Sequence, residues 1–324
     1  MEIKVLKTYE LNDKDWTRIA AGFNSSFDRY TTKERLVSLY QSNLSGFSYH
    51  ALCYDLDQLI GFTSIIPFRY LHKEQEFIAG LSCSTFVLKE YRNDVFIFND
   101  MVQSLKKECL KHGFSIFLGV PNKNSYNYLK VFSGAKDIGY LPYYALISGL
   151  RAVKKVTCKP IDVFILFCAR LFCFANILFS YIYNCKEKQS EYRLLLNDAF
   201  YKKRFSAPYY SCYEKKNIIF RYRIVDEDGI TTAYMMDFRE NGNRTNKALC
   251  AAVRHILWKE KADIILYVGT LRLKQVLLLK VPSRFVPKPL PLIYNILDTA
   301  NKRQFDSIAI MDLWDFGLIN FDVR

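Results

Sequence analysis

The hydrophobic pattern is clearest over 80–122, where it reads strand, turn, helix, strand. Leu81-Ser82-Cys83-Ser84-Thr85-Phe86-Val87-Leu88 is apolar and β-branched and predicts a strand. Lys89-Glu90-Tyr91-Arg92-Asn93-Asp94 is a polar turn. Between Phe96 and His112 the apolar residues Ile97, Met101, Val102, Leu105, Cys109 and Leu110 recur close to the helical period, and Gly113 follows as a C-terminal stop. Phe114-Ser115-Ile116-Phe117-Leu118-Gly119-Val120 is a second strand, closed by Pro121-Asn122. A strand that feeds a helix through a tight turn aims backbone N–H groups and a positive helix end at one spot, which suits a phosphate or another anion.

The same reading extends both ways. A short strand at Ile3-Lys4-Val5-Leu6 leads into helices, one capped by Asn12 or Asp13 and carrying Trp16, Ile19 and Ala20, one capped by Thr31 or Thr32 and carrying Leu36, Leu39 and Tyr40. Strands at 47–54 and 59–69 flank the turn Asp55-Leu56-Asp57-Gln58. A short helix is expected over 125–132, then a strand pair over 138–150 around Leu141-Pro142. The stretch 161–183 is apolar apart from Asp162, Arg170, Asn176 and Ser180, which fall on one narrow side of a helix. Three readings stay open for it: a buried helix joining two domains, a helix lying on a membrane surface, and a true span. Lys154-Lys155 and Lys159 precede it.

Strand, turn, helix, strand then recurs. A hairpin over 217–237 runs through Asp226-Glu227-Asp228-Gly229, a helix carries Leu249, Ala252, Val253, Ile256 and Leu257, and 262–268 is a strand. The second turn, 237–246, is the better anion site by chemistry: Asn241-Gly242-Asn243 can take the left-handed conformations of an N–H nest, and Arg239 and Arg244 add charge. A plain β-turn with solvated arginines is the competing reading. A helix over 292–300 and a strand over 307–313 follow the Pro-rich loop at Pro287-Lys288-Pro289-Leu290-Pro291. The spacing divides the chain into domains at 1–150 and 192–324 with an apolar helical linker at 151–191.

With 324 residues, half of them hydrophobic and 16% aromatic, the chain is globular and large enough for two cores. The net charge of +14 favours anionic partners without choosing among phosphorylated cofactors, acidic polysaccharide, nucleic acid and an anionic membrane face. There is no run of five basic residues and no zinc-finger spacing, so nucleic acid is not the expected partner. Nine scattered cysteines without a C-x-x-C pair point to a reducing compartment, and four histidines without a partner at ligand spacing predict no metal site. Met1-Glu2-Ile3-Lys4 opens no apolar signal run, so the expectation is a cytoplasmic protein, membrane-associated if 161–183 touches lipid.

Val87-Leu88-Lys89-Glu90-Tyr91-Arg92, then a helix, then Phe117-Leu118-Gly119-Val120-Pro121-Asn122, resembles the core of the GNAT acyltransferases, in particular tandem members from bacterial surface-polysaccharide clusters, loosely Fem-like. The aromatic tail from Trp314 to Arg324 resembles the ends of those proteins. The resemblance implies an α/β (α+β) fold of two tandem GNAT-like domains, each a mixed, mostly antiparallel sheet flanked by helices. It implies acetyl-coenzyme A or another acyl-coenzyme A as co-substrate and an amino sugar or small amine as acceptor. Cofactor-binding residues would be Val87, Arg92, Asn93 and Val95 in the first turn, or Arg239, Gly242, Asn243 and Arg244 in the second. Catalytic residues would be Asn122, Ser125 and, for protonating the leaving thiolate, Tyr128. The chain departs from the family where Val95 and Ile97 stand at glycine positions, where Asp94 adds a negative charge, and where Leu129 stands in place of the family's tyrosine. A catalytically degenerate binding or scaffold module and a Fem-like transferase taking aminoacyl-tRNA are the alternatives.

Overall fold

Asn12 starts the first helix by accepting from the Asp15 N–H while Asp15 accepts from the Asn12 N–H, so two amides without helical partners are satisfied reciprocally. Such local signals punctuate the chain throughout the computed structural model, which describes residues 1–27, 30–154, 158–298 and 302–321. Lys155 of the basic flank, Ala300 of the expected helix and Asp322-Val323-Arg324 of the tail lie outside the described residues.

The order begins β1 (Glu2–Lys7), α1 (Asp13–Ser26), α2 (Lys33–Gln41), β2 (Tyr49–Asp55), β3 (Gln58–His72), β4 (Gln75–Val87), α3 (Val95–Lys111), β5 (Phe114–Gly119), α4 (Lys123–Val131) and β6 (Lys136–Tyr140). Next come β7 (Tyr143–Ile147), α5 (Arg151–Lys154), α6 (Lys159–Ile182), β8 (Tyr192–Leu194) and α7 (Asp198–Arg204). The chain then forms β9 (Ser211–Lys215), β10 (Ile218–Glu227), β11 (Ile230–Glu240), α8 (Asn246–Lys259), β12 (Ile264–Val268), β13 (Leu279–Lys280) and β14 (Pro291–Ile296).

These elements form two compact units, each assembled from separate stretches of chain. The first holds Met1–Tyr140, Tyr192–Ala207 and Leu290–Leu313; the second holds Leu141–Glu191, Pro208–Pro289 and Trp314–Arg324. The contiguous boundaries expected at 150 and 191 give way to this interleaving because each sheet borrows a strand from the other half of the chain. In the first unit the order is β1-β2-β3-β4-β5-β14-β6, antiparallel except for β4 beside β5, with β8 along β3. β14 therefore sits between β5 and β6. In the second unit the order is β13-β7-β12-β11-β10-β9, antiparallel except for β11 beside β12, and β7 sits between β13 and β12.

Three expectations change here. β6 and β7 are not a pair: β6 runs beside β14, and β7 lies between β13 and β12; a two-residue hairpin here would need positive φ at Leu141, which a non-glycine residue resists. The helix expected over 292–300 is instead strand β14, with Pro291, Leu292, Ile293 and Tyr294 all buried between its neighbours. The strand expected over 307–313 is a turn followed by the 3₁₀ segment Met311–Leu313.

Each unit has its own core. Ile97, Met101, Leu105 and Cys109 on one face of α3 pack on Ala51, Ile60 and Ile65 of the first sheet. Leu249, Val253 and Ile256 of α8 pack on Phe220, Met235 and Phe238 of the second. Helix α6 packs on α8 with Ala169, Cys173 and Ser180, and these three are its buried residues. It is thus not the buried connector that one of the three readings described.

Candidate functional site

In the first unit the site begins where β4 and β5 part. Their last paired residues are Ser82 and Gly119, after which β4 continues to Val87 while β5 ends. Just past this point β4 carries a bulge: Ser64 faces Cys83 and Phe62 faces Phe86, so Ser84 and Thr85 together oppose Thr63. Ser84 has φ +53°, a left-handed conformation rare for a non-glycine residue. Thr63 and Thr85 hold each other hydroxyl to hydroxyl at 2.7 Å. A cavity of ≈ 30 Å³ lies beside the last pair, walled by Ser82, Gly119, Lys106 of α3, Leu129 of α4 and Asn295 of β14. Lys106 Nζ donates to Ser133 O at 2.5 Å, and burial pushes its pKa down. Ser84 Oγ and Ser133 Oγ are buried and have no hydrogen-bond partner among the described residues.

Because β4 and β5 are parallel, the chain leaves both at the same end of the sheet, and the two candidate groups of this unit flank the divergence. Val87, Arg92, Asn93 and Val95 occupy the connection from β4 to α3. Arg92 Nε donates to Val87 O at 2.9 Å and so braces the strand end, while Asn93 is exposed. Asp94 caps α3, its carboxylate accepting from the Phe96 N–H at 3.0 Å. The helix start that a phosphate would use thus already holds one carboxylate of the chain's own.

Asn122, Ser125 and Tyr128 come together along α4 at three-residue steps. Asn122 caps the helix, accepting from the N–H groups of Asn124 and Ser125 and from Ser125 Oγ. The Tyr128 ring stacks on Phe132 and meets Phe98 of α3 edge-on. Tyr126 instead donates to Asp137 at 2.7 Å, and this hydrogen bond raises its pKa.

The second unit repeats the plan with its openings closed. Asn241 and Gly242 have φ +49° and +77°, and Glu240 and Asn243 exchange both backbone hydrogen bonds, which makes a two-residue hairpin turn. The Asn243 N–H is therefore spent on Glu240 O and does not form a nest. Arg239 donates to Asp237 and, at 3.0 Å, to Gly242 O, so its charge holds the turn's carbonyl. Arg244 is 1% exposed, contacts Glu187, Asp315 and Asp237, and lies over the Tyr267 ring. Burial alone would lower its pKa, yet Asp315, Tyr267, Glu187 and Asp237 together hold it well above the ordinary arginine value. Neither arginine is solvated. The first amides of α8 are taken as well: Asn246 N by Cys185 O, Lys247 N by Asn184 Oδ1 and Ala248 N by Thr245 Oγ1.

The divergence between β11 and β12 is filled too. Their pairing ends at Tyr234 and Leu266. Gly269 N bonds to Pro142 O on the β7 side, so the alternate groups Val268 O and Thr270 N point the other way, where they bond to Leu318 N and Phe316 O. Residues 316–318 thus lie along β12 where β11 has left it.

Four features of this arrangement escaped the sequence. The bulge at Ser84, the role of Lys106, the tail's seat and the exchange of β7 and β14 depend on long-range pairing. Only the Gly269 and Gly317 positions hinted at a close approach, since a Cβ on Gly269 would stand 2.4 Å from Gly317 Cα.

Neither a protein-family profile nor a curated protein matches the chain. Solved structures do. It is similar to a conserved Enterococcus faecalis protein described as a probable N-acyltransferase, with TM-score 0.54 and 13% identity over 94% of this chain and 74% of that one. It is similar to GCN5-related N-acetyltransferases from Anabaena variabilis (TM-score 0.55, 11% identity, 92% and 73% of the two chains) and Kribbella flavida (TM-score 0.55, 11% identity, 92% and 72%). The fold is GNAT-type: a mixed α/β architecture with two mostly antiparallel sheets flanked by helices.

Proposed function

We propose that this chain is an acyltransferase that takes acetyl-coenzyme A or another acyl-coenzyme A in its first unit and passes the acyl group to the amine of an amino sugar or similar small acceptor, in surface-polysaccharide biosynthesis. One observation carries the assignment. The parallel pair in the first unit diverges with a bulge just past its end and a cavity beside its last pair, whereas the place where the second unit's pair diverges is filled by residues 316–318.

The donor supplies an activated acyl group as a thioester. The chain's part is to hold and orient. Arg92 and the amides at the start of α3 would hold the phosphates, Val87 and the bulged β4 would line the extended arm, and Asn122 with Ser125 would fix the entry to α4. The bulge removes a residue from the ladder, which leaves backbone polar groups to bind a developing oxyanion. Tyr128 is the phenol nominated to protonate the departing sulphur. Lys106, with its pKa lowered by burial, is the cavity wall's basic group.

Calorimetric titration with acetyl-coenzyme A tests this. Binding is expected for the wild-type chain, about three- to tenfold weaker in Arg92→Ala and abolished in Ser82→Trp, which fills the cavity at the mouth of the divergence. Unchanged affinity in Ser82→Trp would remove the first-unit assignment. Silence at millimolar ligand would favour a second reading, a GNAT-type module without catalysis, for which Asp94 on the α3 start is the specific support.

A further inference from the structure

Helix α6 is inside out. Its polar side chains turn toward the second unit: Arg170 donates twice to Leu257 O of α8, Asp162 accepts from the Leu150 and Cys158 N–H groups, and Ser180 is buried. Its aromatic and aliphatic side chains turn outward. Phe164 is 66% exposed, Phe167 62% and Leu171 58%, and Phe174, Phe179 and Ile182 continue the surface. A helix that merely covered a soluble core would show the opposite polarity.

From this face we infer that the chain docks on the surface of an anionic lipid bilayer, with α6 in the plane of the headgroup–acyl boundary. Charge complementarity selects this occupant. Asp162 is the sole acidic residue of α6 and is engaged inward, while exposed Lys159 stands at the helix start and exposed Lys186 and Lys188 just beyond its end. Lysines bracketing an exposed apolar helix match anionic headgroups over acyl chains. Tyr181, Tyr183 and Trp258, all exposed, supply rings with a polar tip, the type that settles at this boundary. A transmembrane placement would strip α6 from α8 and pull Arg170 off Leu257 O into hydrocarbon.

The test is co-sedimentation of the full chain with extruded vesicles. Binding is expected to vesicles of phosphatidylcholine with phosphatidylglycerol, to weaken with salt, and to fall for phosphatidylcholine alone. The triple variant Phe164→Ser, Phe167→Ser, Leu171→Ser should lower partitioning about a hundredfold. Should that variant fail to fold, Lys186→Gln with Lys188→Gln leaves the apolar face intact and should lower binding to anionic vesicles about fivefold per charge. Affinity for acetyl-coenzyme A, titrated on the same samples, stays as in the wild type, so failure here is distinct from failure of the acyltransferase reading. Three results overturn the inference: no binding to either vesicle, a wild-type dimer that the triple variant converts to monomer, or membrane retention that resists alkaline carbonate.

Discussion

His50 is fully buried in the first unit, between Thr8 Oγ1 at 2.9 Å on one ring nitrogen and Ser64 Oγ at 3.0 Å on the other. Tyr40, Phe62 and Trp16 surround its faces. Burial pushes its pKa down to about 3, so the folded chain keeps the imidazole neutral. The unfolded chain binds a proton near the ordinary histidine value of about 6.5. Its contribution to stability is therefore complete above that value and is lost as pH falls from there toward 3. The slope is about 1.4 kcal/mol per pH unit within the window. Urea midpoints measured between pH 7 and pH 4 should fall accordingly, and His50→Gln should flatten the dependence. A wild-type stability independent of pH over this range would mean that His50 is charged in the fold.

At the scale of elements, the tail's seat on β12 depends on two glycines. Gly269 has φ +139°, and a Cβ there would meet Gly317 Cα at 2.4 Å and Phe316 O at 2.5 Å, both backbone atoms that cannot swing aside. Gly269→Ala is expected to cost about 2–4 kcal/mol in denaturant unfolding and to leave acetyl-coenzyme A affinity unchanged. Neutral behaviour would show that the tail is not held there.

The elements that could be read from sequence are those whose signals are local. Helix α3 was legible because its apolar period and Gly113 stop agree; its Asp94 cap emerged only in the structure. β14 was not, since Pro-Leu-Ile-Tyr-Asn-Ile is apolar throughout and short, and a buried strand and a buried helix segment share that pattern. The site divides in the same way. Asn122 marks the end of β5 and stands out in the sequence, whereas the bulge at Ser84 lies on a residue with no glycine to announce it. Arg244 reads as an anion binder because two of the carboxylates that engage it, Glu187 and Asp315, are far away in sequence; Arg239 is held by Asp237 only two residues back, but that the two side chains meet is set by the fold of the strand end.

At the scale of the whole molecule, the interleaved units mean that neither half of the chain is complete. Residues 1–150 lack β14, so β5 and β6 lose the strand between them. Residues 192–324 lack β7, which pairs with both β12 and β13. Either fragment expressed alone should show poorly dispersed amide resonances and no cooperative unfolding, whereas mixing or co-expressing fragments that restore the exchanged strands should recover them. A cooperatively folded 1–150 fragment would contradict the pairing of β14.

The exchanged strands also set a timetable for synthesis. β5 leaves the ribosome roughly 170 residues ahead of β14, a delay of about 10–30 s at about 5–20 residues per second. Throughout that interval the nascent chain carries an unpaired edge of alternately exposed N–H and C=O groups along Phe114–Gly119, a template for any other extended segment nearby. The final fold hides that edge in the middle of a sheet. Its most aggregation-prone moment therefore belongs to translation, and its yield in cells should depend on elongation speed and on chaperones that shield the edge until β14 arrives.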